Sequence, residues 1–99
     1  MGILNNRIQK TLTASSGSAS DTFTSHGVCL QILVKPTTSS TQYDVSLTDS
    51  GSVVVFKRTS EVGTMNEFVS LPLTGAYTVA IDNATVDEAH TVLLIVRNS

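Results

Sequence analysis

Between Gln42 and Arg97 apolar and polar residues alternate with a period of two, and this pattern limits what the chain can fold into. Tyr43, Val45 and Leu47 alternate with Asp44, Ser46 and Thr48, and Tyr77, Val79 and Ile81 alternate with Thr78, Ala80 and Asp82. Successive side chains of an extended strand point to opposite faces, so each apolar set lines one face of a half-buried strand. No segment shows a convincing 3.6-residue apolar repeat, and the chain reads as all-β.

Turn residues divide the pattern into short strands. Residues 28–35 form a strong one, stopped by Pro36 and a Thr/Ser run. Residues 42–48 and 53–58 flank a four-residue loop of hairpin length, with Gly51 available for positive φ. Residues 67–71 run into Pro72, which belongs at a strand end or edge. Gly75 opens 77–82, residues 83–90 connect, and 91–97 close the fold. With weaker strands at 7–13 and 22–24, the expected architecture is a compact antiparallel β-sandwich of seven to eight short strands. It is jelly-roll-like rather than immunoglobulin-like, because the chain has one cysteine and no tryptophan. Residues 1–21 read as a flexible N-terminal arm and 22–99 as the sandwich domain, since 14–20 have flexible-linker composition.

Three stretches depart from the alternation: Val92-Leu-Leu-Ile-Val96 and Val53-Val-Val-Phe56 are apolar on both faces, and residues 28–34 are nearly so. In a two-layer sandwich Leu93 and Ile95 then face water, forfeiting roughly 1.5–3 kcal/mol each relative to burial. A cover is expected: the arm, with Ile3, Leu4, Ile8 and Leu12, or a second copy of the chain. The alternative is a loop laid over centrally placed strands. These six residues are the candidate interface.

Composition narrows the function classes. Charged residues make up 14% of the chain, with Ser and Thr supplying 27 of its 99 residues, yet 40% hydrophobic content argues for a folded core. The net charge is −2 and the six basic residues, Arg7, Lys10, Lys35, Lys57, Arg58 and Arg97, are scattered. No electropositive stripe is available for a nucleic acid, and no apolar run reaches the roughly 18 residues of a membrane span. The lone Cys29 excludes an internal disulfide and reads as a small core residue. A start at Met1 without an export signal points to synthesis in a cytoplasm.

No group of residues announces chemistry. Asp87-Glu-Ala-His90 spells a helicase box, but the phosphate loop that such chemistry requires is missing. His26, Cys29 and His90 are the soft metal ligands, in a spacing that demands no metal, and they read as surface histidines and a core thiol. Asp82, Asp87 and Glu88 share a segment with Asn83 without any calcium-loop spacing, and read as solvated carboxylates. No G-x-S-x-G elbow exposes a serine. Neither an enzyme nor a cofactor is expected.

The segment Tyr43-Asp-Val-Ser-Leu-Thr-Asp-Ser-Gly-Ser-Val-Val-Val-Phe56, followed by Leu71-Pro-Leu-Thr-Gly-Ala-Tyr-Thr-Val-Ala-Ile81, resembles small bacteriophage virion proteins of the capsid decoration (cement) type. It is also similar to bacterial pre-peptidase C-terminal jelly-roll domains. The first resemblance implies a structural protein of the virion surface that binds the assembled head. Copies, as a homo-oligomer with the trimer favoured, would bridge subunits of the major capsid protein, without nucleic acid or membrane. Another phage β-domain of tail, neck or fibre is one alternative, and a carbohydrate-binding accessory module is the other. Most of the five aromatics sit at inward positions, which argues against the latter.

Overall fold

In the computed structural model, which describes residues 5–38 and 41–97, six antiparallel strands form one sheet. They are β1 (Asn5–Thr13), β2 (Ala19–Pro36), β3 (Gln42–Asp49), β4 (Val54–Val62), β5 (Met65–Asp82) and β6 (Ala89–Arg97), in the order β1-β6-β2-β5-β3-β4. The pairs β1–β6, β2–β5 and β3–β4 nest inside one another, as in a long hairpin wound on itself, which is the jelly-roll principle.

The strand count is six because β2 and β5 are each 18 residues long and merge segments expected to be separate. Both strands change layer near their middle. The register of β2 shifts between Cys29 and Gln31 against both of its neighbours, a bulge that bends the strand. Gly27 sits at the same bend with φ +144, and a Cβ there would meet the Arg97 carbonyl oxygen at 2.4 Å, so only glycine fits. Opposite the bulge, the exposed Pro72 pairs with Val28. The result is a two-layer sandwich. β1, β6, the second half of β2 and the first half of β5 make one layer; the other halves of β2 and β5, with β3 and β4, make the second.

Inward side chains of both layers form a continuous core, including Ile32, Val34, Leu94 and Val96 from the first and Tyr43, Leu47, Val79 and Ile81 from the second. Contact across the layers is direct: the rings of Tyr43 on β3 and His90 on β6 meet edge to face at 5.2 Å. At each open side of the sandwich an ion pair spans the gap. Lys10 Nζ lies 3.3 Å from Asp21 on β2, and Arg58 on β4 forms a two-point contact with Glu67 on β5. Charges turned inward at sheet edges disfavour edge-to-edge aggregation.

The N-terminal segment is a correction to the flexible arm. Asn5–Thr13 pairs along its whole length with β6, and the following turn is tied down by Ala14 N–H donating to the Glu88 carbonyl and Asp87 N–H donating to the Ala14 carbonyl. Small residues here serve a tight turn, with Gly17 at φ +84, rather than a loose tether.

Candidate docking face

Leu93 and Ile95 on β6 point away from the core, each half-buried, because they alternate with the fully buried Val92, Leu94 and Val96. Ile8 and Leu12 do not join them. Leu12 is 4% exposed within the core and Ile8 packs against that core, because the pairings Ile8–Leu94 and Leu12–His90 place both on the inward side of β1. Ile3 and Leu4 lie outside the described residues. β1 therefore runs beside Leu93 and Ile95 and does not lie over them.

The strand registers build the outward face row by row. Arg7, Ile95, Gln31 and Phe68 form one row across β1, β6, β2 and β5, and Gln9, Leu93, Leu33 and Asn66 form the next. Asn5, Arg97, Val28 and Pro72 lie beyond the first row; Thr11, Thr91 and Lys35 lie beyond the second. Leu93, Leu33 and Ile95 fill the centre with Gln31, and the rim is mostly polar apart from Phe68, Val28 and Pro72. Gln31 Nε2 donates to Asn66 Oδ1 at 2.8 Å, fixing the amides beside Phe68. Phe68 is 79% exposed, whereas Phe23, Tyr43, Phe56 and Tyr77 are all buried. Its position shows why periodicity alone overlooked it: Phe68 and Val69 are adjacent apolar residues between Glu67 and Ser70, and the sequence does not say which of them faces in. The charged side chains among these described outward positions, Arg7, Lys35 and Arg97, are all cationic.

The second layer's outward face is different. Thr22, Thr78 and Thr48 form a row across β2, β5 and β3, and a shallow open depression of about 460 Å³ is lined by Ser18, Ala19, Ser20, Thr78, Ala80 and Asp82. It is a hydroxyl-rich surface without an exposed aromatic.

The residues weighed for metal chemistry do not converge. Cys29 pairs with Val96 and His90 with Pro36, so the two stand six positions apart along β6, about 20 Å. His26 is exposed, and among the described residues no three His, Cys, Asp or Glu side chains gather around one point. Burial pushes the Cys29 thiol above its ordinary value, which leaves it a core residue. His90 is a correction to the surface reading: it is 0% exposed, and neither ring nitrogen has a hydrogen-bond partner among the described residues.

The carboxylates are likewise occupied. Glu88 is buried, a correction to its solvated reading. It accepts from the Thr37 hydroxyl at 3.1 Å and the Thr38 N–H at 2.6 Å, clasping the segment after β2. Asp44 accepts from the Ser60 N–H at 2.8 Å and the Asn83 side chain at 2.6 Å. The first of these bonds holds Ser60 at φ 57, where β4 bulges against β3.

No protein-family model matches this chain, and no curated protein matches it. Among solved structures it is similar to the periplasmic inhibitor of g-type lysozyme from Aeromonas hydrophila, with 13% identity over 98% of this chain and 89% of that one, at a TM-score of 0.49. The carbohydrate-binding module CBM36, in complex with calcium and xylotriose, is matched at 16% identity over 99% and 93%, with a TM-score of 0.45. The Yersinia pseudotuberculosis-derived mitogen is matched at 7% identity over 95% and 86%, with a TM-score of 0.46.

Proposed function

We propose that this chain is a recognition module whose working surface is the outward face of the layer containing β1 and β6. Phe68 carries the reading: a ring 79% exposed in the same sheet face as the half-buried Leu33, Leu93 and Ile95. Holding a phenylalanine in water forfeits roughly 1.5–3 kcal/mol that contact with a partner recovers. A mostly aliphatic centre with a mostly polar rim has the anatomy of a protein interface. The partner is accordingly a protein neighbour. The resemblance carried by residues 43–56 and 71–81 suggests the form this takes: decoration of an assembled phage head, where modest contacts to major capsid subunits gain strength from multivalency. Co-sedimentation with heads lacking the protein tests it. Wild type pellets with the heads, and Phe68→Ala and Leu93→Lys stay in the supernatant; wild type remaining in the supernatant contradicts the head-binding form.

A second form is favoured by one observation. Phe68 has Gln31 directly across the ladder and Asn66 two residues before it, placing amide donors and acceptors beside an exposed ring. That combination suits a carbohydrate, whose C–H face stacks on the ring while its hydroxyls meet the amides. A glycan array with wild type and Phe68→Ala distinguishes this form: binding lost in the variant supports it, and a blank array removes it.

A further inference from the structure

We infer that the outward face of the layer containing β1 and β6 pairs with the same face of a second copy, about a two-fold axis running along the strands between β6 and β2. This rests on the reading of that face as the contact surface and names its occupant. Such an axis keeps each row in place and reverses its order. The row Gln9-Leu93-Leu33-Asn66 then meets its own reverse, which sets Leu93 on Leu33 of the partner and Gln9 against Asn66 of the partner. The row Arg7-Ile95-Gln31-Phe68 sets Arg7 over the partner's Phe68 and Ile95 on the partner's Gln31.

Leucine meets leucine, amide meets amide, and a guanidinium meets the one exposed aromatic ring among the described residues, a favourable cation–π geometry. The other cations are also placed without conflict. Arg97 faces Val28 of the partner and Lys35 faces Thr91 of the partner, so no two like charges are opposed in a face whose charges are all positive. Self-complementarity of this kind, residue i on j and j on i, is what an isologous interface requires. Sheets packed in this way keep their strands within about 30° of each other at a separation near 10 Å, as sandwich layers do. A three-fold ring would need two different surfaces on each copy. The register supplies one self-matching surface, so the pair replaces the trimer.

Sedimentation equilibrium of the full chain, with circular dichroism to confirm folding, gives the first arm of the test. Wild type is dimeric, and Phe68→Ala, which removes an exposed side chain, weakens the dimer at least about tenfold, as loss of an interface anchor does. Leu93→Lys is monomeric. The second arm treats the double variant Gln9→Cys/Asn66→Cys with a bismaleimide reagent spanning about 8 Å, because facing sheets near 10 Å apart hold Cα atoms too far apart for a direct disulfide. These positions are three strands apart within one copy, about 14 Å, beyond the reagent's reach. The inferred axis sets them opposite each other between copies, so a covalent dimer forms. A monomeric wild type overturns the pair and leaves head or glycan binding to be judged by its own assay. A dimer that survives Leu93→Lys, or that yields no Gln9→Cys/Asn66→Cys crosslink, overturns the assigned face or axis.

Discussion

Leu93 and Leu33 stand directly opposite each other in the β6–β2 ladder, and both point away from the core. Their sequence neighbours Val92, Leu94, Ile32 and Val34 fill the interior, so the central pair of this layer is apolar on both faces. Strands of that composition belong where both faces are covered. One cover is the second layer. The proposed binding partner supplies the other.

His90 is a core residue with two unpartnered nitrogens among the described residues, its ring edge against Tyr43. Burying polar atoms without hydrogen bonds costs roughly 1–3 kcal/mol. His90→Phe keeps a ring beside Tyr43 and removes both polar atoms, so it raises stability by about 1 kcal/mol in urea unfolding. A loss of stability would show that the imidazole holds a hydrogen bond in the folded protein.

Tyr43 donates its buried hydroxyl to the Gly63 carbonyl at 2.7 Å. Burial, and then the charge of Glu61, push its ionisation up to about 12 from 10. The folded value is the raised one, so this contribution to stability is full below pH 10 and is lost as pH rises towards 12. Tyr43→Phe costs about 1 kcal/mol at neutral pH, the worth of a typical hydrogen bond. Between pH 10 and 12 the variant loses less stability than wild type in parallel urea titrations; equal slopes contradict the assignment.

At the acid end the sign reverses. Hydrogen bonds from the Ser60 N–H and the Asn83 side chain hold Asp44 below the usual carboxylate range. Burial raises the Glu88 carboxyl, but donation from the Thr38 N–H and the Thr37 hydroxyl, with the Thr41 hydroxyl nearby, outweighs it, leaving a net lowering. Depressed carboxylates stabilise above their unfolded values and lose that contribution as pH falls through the folded ones. Asp44→Asn and Glu88→Gln therefore lower the unfolding midpoint at pH 7, and both differences from wild type shrink on acidification through the carboxylate range. A gap that stays constant with pH would contradict this linkage.

The elements that were legible in the sequence are those with one wet face. β3 and the second half of β5 alternate cleanly, and Tyr43, Val45, Leu47, Tyr77, Val79 and Ile81 all point inward as their period requires. Leu93 and Ile95 were also marked by an excess of apolar residues over what one face can use. The continuity of β2 and β5 was not legible, because Gly27, Gly75 and Pro72 normally end strands, and here they sit within or beside a bend whose cause is a layer change. Nor was the anchoring of β1: its partner β6 lies at the other end of the chain, and local composition holds no record of that pairing. Phe68 was hidden for a related reason, since only the pairing with Gln31 shows that it faces out.

Arg58 sits between layers, its guanidinium carbon 4.6 Å from the centre of the Phe56 ring and its nitrogens on both Glu67 oxygens. The side chains are 42% and 29% exposed, so the pair is worth about 0.5–1 kcal/mol rather than the value of a buried bridge. A double-mutant cycle with Arg58→Met and Glu67→Gln measures that coupling, which falls in high salt. Zero coupling at low salt would remove the pair from the account of how this edge closes.

Methyl NMR of wild type, followed from micromolar to millimolar concentration, compares the two sheet faces in one experiment. The account predicts that the methyl signals of Leu33, Leu93 and Ile95 shift together along a saturating curve while those of Thr22, Thr48 and Thr78 stay fixed. Stationary leucine and isoleucine signals, or movement confined to the threonine face, would contradict the claim that two copies of this molecule meet through the first layer's outward face.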